Sequence, residues 1–201
     1  MVPPKAKYLQ SIAVMPKPGP PDHIAEVYTP PRVTQFSQEY DLQGALSADK
    51  DTGWDFTILD KRIHFMELLQ LNAPGVLFLN PPCTEQSNLQ EINWFRKKTP
   101  LREAQMEESM LHIQFCLNPV SYQVSQKRFF VWEHPKGALT WKLDCVEEVR
   151  NQLGDDSFFV DFDQCQYGLK NVKGTKSLTH RLTSPVHLDN AQLKPKPPEP
   201  N

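Results

Sequence analysis

The sequence predicts a single α/β domain built on a doubly wound, mostly parallel sheet of about six or seven strands. Three observations predict it. Short apolar runs of strand length alternate with segments of helical periodicity, as βαβ crossovers require. The expected strands end in polar or proline-bearing turns, at the edge where such sheets bind ligands. The length, 201 residues, suits one full domain with a buried core and is short for two.

Residues 1–22 carry Pro16, Pro18, Pro20 and Pro21 and read as an extended leader. Residues 189–201 end Lys-Pro-Lys-Pro-Pro-Glu-Pro-Asn and read the same way, leaving 23–188 as the domain. Ile24–Tyr28 is the first expected strand, followed by a helix from about Arg32 to Tyr40. A weak strand at Ala45–Ala48 precedes the tight segment Gly53-Trp54-Asp55-Phe56. Ile58–Leu71 is helical, with Leu59, Ile63, Met66 and Leu69 or Gln70 spaced by three and four. Gly75–Leu79 is the next strand. Residues 101–125 carry the clearest helical face: Met106, Met110, Ile113, Leu117, Val120 and Val124 step by four and three. Pro119 predicts a kink or break there, because its ring displaces a carbonyl and it lacks an N–H. Arg128–Trp132 is a strand, Cys145–Leu153 a short helix, and Phe158–Phe162 a fifth strand. A last extended piece covers about Leu178–Leu182.

Composition narrows the function classes. A net charge of −2 supplies no global field for nucleic acid, so any such binding must be local. Cys83, Cys116, Cys145 and Cys165 are far apart with no C-x-x-C pair, which favours reduced thiols over a disulfide framework. The six histidines lack ligand spacing, so no metal site is expected. No segment approaches membrane-spanning length and the N-terminus has no signal-peptide core. The expectation is a soluble intracellular protein, nuclear or cytoplasmic.

Two strand ends stand out. Gly75–Leu79 runs into Asn80-Pro81-Pro82-Cys83, where two fixed φ angles stop the strand and present a thiol in a stiff turn. Arg128–Trp132 runs into Glu133-His134-Pro135. An isolated cysteine is commonly a small buried hydrophobe, and an isolated glutamate a solvated acid. A thiol behind Pro-Pro with a carboxyl group at the next strand end shifts the balance towards chemistry.

That pair resembles the cytosine carbon-5 DNA methyltransferases, in which a Pro-Pro-Cys loop attacks the base and a Glu-containing loop protonates it. The resemblance implies a Rossmann-like, S-adenosylmethionine-dependent methyltransferase fold, with Cys83 as nucleophile and Glu133 as acid. A thiolate adding to carbon 6 makes the ring nucleophilic at carbon 5. The base must first leave the stack or be single-stranded. For the cofactor, the resemblance implies Glu26 and Tyr28 at the first strand end, Asp49 at the ribose, Asp55 at the adenine amine, and Pro81. It implies Pro82, Gln164 and Gln166 around the base and Arg181 on phosphate, with Lys176 and His180 nearby. A narrower resemblance is to methyltransferase-like segments of retroelement polyproteins. It rests on Tyr28-Thr29-Pro30-Pro31-Arg32, Gly53-Trp54-Asp55-Phe56, Pro81-Pro82-Cys83-Thr84, Glu133-His134-Pro135 with Trp141, and Gln164-Cys165-Gln166-Tyr167-Gly168. It implies DNA or RNA as partner and a larger polyprotein as source.

The chain departs from the larger family where Thr29-Pro30-Pro31-Arg32 replaces a Gly-rich turn. Glycines permit close backbone approach to the cofactor, and prolines remove amide donors. Weak or absent S-adenosylmethionine binding is therefore expected, and each acid taken alone reads as a turn residue. Two alternatives stand beside the methyltransferase reading. One is a catalytically inactive nucleic-acid- or protein-binding module on the same fold. The other is an amino-methyltransferase, in which Asn80-Pro81-Pro82 would grip an exocyclic amine, although Cys83 cannot stack on a base.

Overall fold

The computed structural model describes residues 22–87, 99–164 and 174–180. They form an α/β structure around one six-stranded mixed sheet. The strands are β1 (His23–Val27), β2 (Gln43–Ala48), β3 (Val76–Leu79), β4 (Phe129–Pro135), β5 (Ser157–Asp163) and β6 (Gly174–His180). Their order across the sheet is β2-β1-β3-β4-β6-β5. The pairs β1–β2, β1–β3 and β3–β4 are parallel, and β6 runs antiparallel between β4 and β5. The arrangement is compatible with a Rossmann-like fold, and the strand order reverses at β1 and β3.

Among the described residues four α-helices connect the strands: α1 (Val33–Phe36, continued by a 3-10 turn over Ser37–Tyr40), α2 (Leu59–Asn72), α3 (Thr99–Ser125) and α4 (Asp144–Leu153). Right-handed crossovers that move outward to β2 and then back across the sheet place α1 on one face and α2, α3 and α4 on the other. The core follows that division. Ala25, Val27, Leu77, Leu79, Phe130 and Trp132 pack against Phe65 and Leu69 of α2, Ile113, Cys116 and Val120 of α3, and Val146 of α4. Helix α1 packs on β1 and β2 at the opposite face. There Gly44 is required by space: a Cβ on it would lie 2.8 Å from the Thr34 carbonyl oxygen.

The expected elements are present with three differences. Helix α3 runs unbroken through Pro119. Removing the N–H costs the Phe115 carbonyl its partner, on the order of 3 kcal/mol. Burial of Ile113, Phe115 and Cys116 before the proline and Val120 after it holds both halves on one axis. Strand β4 continues three residues beyond Trp132, because β6 pairs with it as far as Pro135↔Thr175. Strand β6 begins earlier than expected, at Gly174; residues 181 and 182 lie outside the described residues. Among the described residues no helix is long and apolar enough to cross a membrane.

Candidate functional site

The loops after β1, β3 and β4 enclose a cavity of about 340 Å³ at the carboxyl edge of the sheet, where the strand order reverses. Ligands bind at such switch points in open α/β sheets. The volume lies at the low end for small-molecule sites. Cys83 and Glu133 both line it, with Asn80, Pro81 and His134, and the loop after β1 contributes Tyr28, Thr29, Pro30, Arg32 and Val33.

Register explains how the carboxyl group is placed. Leu79 pairs with Trp132, and both are buried on the helix-covered face. The next residue of each strand, Asn80 and Glu133, therefore turns to the opposite face, side by side. With its amide nitrogen facing the carboxylate, Asn80 donates to Glu133 Oε2 at 2.9 Å and to the Leu79 carbonyl at 3.2 Å. Gln164 Nε2 donates to Glu133 Oε1 at 3.3 Å. Both carboxylate oxygens are thus held by side-chain amides. The amide hydrogens of Asn80 are thus turned to Leu79 and Glu133.

The thiol sits on a loop fastened at both ends. His134 is buried and alternates with Trp132 and Phe130 on the helix-covered face. Its Nε2 lies 2.9 Å from the Pro81 carbonyl oxygen and its Nδ1 lies 2.8 Å from the Thr140 hydroxyl. A carbonyl brings no proton, so Nε2 carries the hydrogen and donates. Beyond Cys83, the buried Gln86 donates to Ser109 Oγ at 2.9 Å, and its carbonyl accepts from the Leu139 amide at 2.8 Å. Cys83 itself is half-buried.

The residues that the family resemblance assigns to a cofactor do not form one pocket. Glu26 is fully buried, and its carboxylate accepts from the amides of Arg32, Val33 and Thr34 and from the Thr34 hydroxyl. The amides that open α1 are therefore occupied from within the protein. Asp49 caps its own 3-10 turn, accepting from the Asp51 amide. Asp55 accepts from the amide and hydroxyl of Thr57, and those bonds hold its carboxyl below the usual carboxylate range. Neither aspartate lines the cavity.

Tyr28 lines the cavity but packs its ring between Phe56, at 4.8 Å between centroids, and His112, at 5.3 Å. Its hydroxyl lies 3.0 Å from His112 Nδ1. Burial pushes the phenol far above its ordinary range and pushes His112 down. Tyr28 adopts a φ of 65°, a left-handed conformation that costs a side-chain-bearing residue about 1–2 kcal/mol. Phe56, almost fully buried, occupies the space between Tyr28 and the Asp55 turn. Of the residues assigned to the cofactor, Tyr28 and Pro81 line the cavity, while the carboxylates of Glu26, Asp49 and Asp55 accept from groups within the protein.

Pro81 lines the cavity, whereas Pro82 is exposed outside it. His180 is buried on Phe130, at 4.9 Å between centroids, and so is withdrawn from any phosphate. Lys176 pairs with Asp161 at 3.6 Å and covers the Phe159 ring. Gln166 and Arg181 lie outside the described residues. Arg32 and His134 are cavity residues to which no motif assigns a catalytic role. Extending the Phe130–Trp132 alternation by one step points to a buried His134. No group of His, Cys, Asp and Glu among the described residues could hold a metal ion. No protein-family model matches the chain, and no curated protein is significantly similar to it.

Proposed function

We propose that the cleft binds an unstacked pyrimidine base of a nucleic acid, on a cytosine-methyltransferase-like domain that has lost its methyl donor. The carrying observation is the convergence of Cys83 and Glu133 on one cavity at the switch point, beside an α1 start already filled by Glu26. A thiolate from Cys83 adding to carbon 6, with a proton reaching ring nitrogen 3 through Glu133, is reversible. Without a methyl donor nothing is transferred, and the pair serves to hold a base. The domain is then the degenerate, base-binding member of the two readings on this fold.

Alkylation of Cys83 by iodoacetamide, followed by peptide mass spectrometry, tests this directly. A single-stranded cytosine oligonucleotide is expected to slow the reaction at Cys83, and an abasic strand of equal length is not. Equal rates with both strands would overturn base binding. Methyl transfer from labelled S-adenosylmethionine, abolished by Cys83→Ala, would overturn the loss of activity.

A further inference from the structure

We propose that Arg32 is a phosphate anchor, so that the cleft takes a nucleotide through both its base and its phosphate. The proposal rests on the base-binding reading and adds the second half of the ligand. Among the described residues Arg32 is the only Lys or Arg lining the cavity, on the loop after β1, whereas Cys83 and Glu133 come from β3 and β4. No ion pair joins it to Glu133, whose oxygens accept from the Gln164 and Asn80 amides. Among the described residues the Arg32 guanidinium has no ion pair or hydrogen bond, and only its backbone amide is engaged, by Glu26.

The backbone under this side chain is held firmly. Pro30 and Pro31 fix two φ angles immediately before it, and the buried Glu26 carboxylate grips the amides of residues 32 to 34. An exposed guanidinium on a fixed backbone beside a cavity suits two-point recognition of a phosphate, which a planar fork matches in geometry and charge. With a net charge of −2 there is no general attraction for polyanions, so one local cation carries much of the discrimination. An unstacked nucleotide presents its base and its phosphate to different walls of a pocket. Here the loops after β3 and β4 carry the thiol and carboxyl group and the loop after β1 carries the arginine.

The test compares cytidine, cytidine 5′-monophosphate, cytidine 3′-monophosphate and inorganic phosphate by calorimetry on the full chain. One or both monophosphates should bind about tenfold more tightly than cytidine, and inorganic phosphate alone should not match them. Arg32→Ala, at an exposed side chain, should abolish the preference while leaving cytidine affinity unchanged, and Arg32→Lys should keep part of it. For a single-stranded oligonucleotide, the salt slope should fall by about one in Arg32→Ala. If the wild type binds cytidine and its monophosphates equally, or Arg32→Ala keeps the preference, the anchor is wrong and base binding stands. Inorganic phosphate competing as strongly as the monophosphates also overturns it, as a generic anion site. If no compound binds, both readings fall.

Discussion

Replacing His134 by alanine should loosen the thiol loop as well as weaken the fold. The imidazole is 1 % exposed and bridges two chain segments, donating to the Pro81 carbonyl at 2.9 Å and lying 2.8 Å from the Thr140 hydroxyl. Thr140 can turn its hydroxyl to another acceptor, but the Pro81 carbonyl is left without its donor. A stranded buried polar group costs about 1–3 kcal/mol. The void left by the ring adds on the order of 1–2 kcal/mol where the surroundings cannot collapse. The sum, about 3 kcal/mol, should lower the urea midpoint, with the slope unchanged if the native state stays compact. Native-state alkylation, mapped to Cys83 by mass spectrometry, should accelerate severalfold, because the loop loses its fastening on the Pro81 side. His134→Gln, whose amide can still reach the Pro81 carbonyl, should restore much of both. A His134→Ala protein within about 0.5 kcal/mol of wild type, with an unchanged Cys83 rate, would refute the role assigned to this bridge.

Other outcomes follow from the same geometry. Glu26→Gln turns an amide group towards three backbone donors and should cost about 2 kcal/mol by urea unfolding; equal stability would mean that α1 does not depend on the carboxylate. Tyr28→Phe should cost about 1 kcal/mol through the lost bond to His112, with the ring packing retained. Gly44→Ala should cost about 1–3 kcal/mol, because the added Cβ meets backbone and not a movable side chain. Burial lowers the pKa of both His112 and His180 below the ordinary 6.5. In the unfolded chain these rings take up protons first, so their contribution is intact above about pH 6.5 and declines as the pH falls below it. Urea midpoints measured from pH 7.5 to 5 should therefore decrease, and a flat profile would contradict the neutral burial of these rings. Asp55, whose pKa is also lowered, adds acid sensitivity only at and below about pH 4.

Much of the fold was legible because the central strands read as short, mostly apolar runs of strand length. Ile24–Val27, broken only by Glu26, and Val76–Leu79 and Phe129–Trp132 announce themselves that way. Strand β6 does not: Gly-Thr-Lys-Ser-Leu-Thr-His contains one strongly apolar residue, and its extended form depends on ladders from β4 and β5 on either side. Pro119 argued for a break that the buried flanks of α3 override. At the cleft, Cys83 and Glu133 were visible from their turns. The bond from Asn80 to Glu133 depends on the pairing of Leu79 with Trp132, a relation between distant segments that no local pattern encodes. The acids Glu26, Asp49 and Asp55 sit near strand ends, as ligands would. Only three-dimensional placement reveals that their oxygens already serve backbone amides.

The position of β6 also bears on how the chain emerges from the ribosome. It is the last described strand in sequence, yet it lies inside the sheet, between β4 and β5. Until residue 180 has been synthesised, β4 and β5 can hold their places only about two strand spacings, roughly 10 Å, apart. The slot between them exposes unpaired N–H and C=O groups along both edges. Such edges recruit other strands, including those of neighbouring nascent chains. A polypeptide arrested just before Gly174 should thus be more prone to association than either a shorter one lacking β5 or the finished sheet. Filling this slot is a step that Gly174–His180 performs.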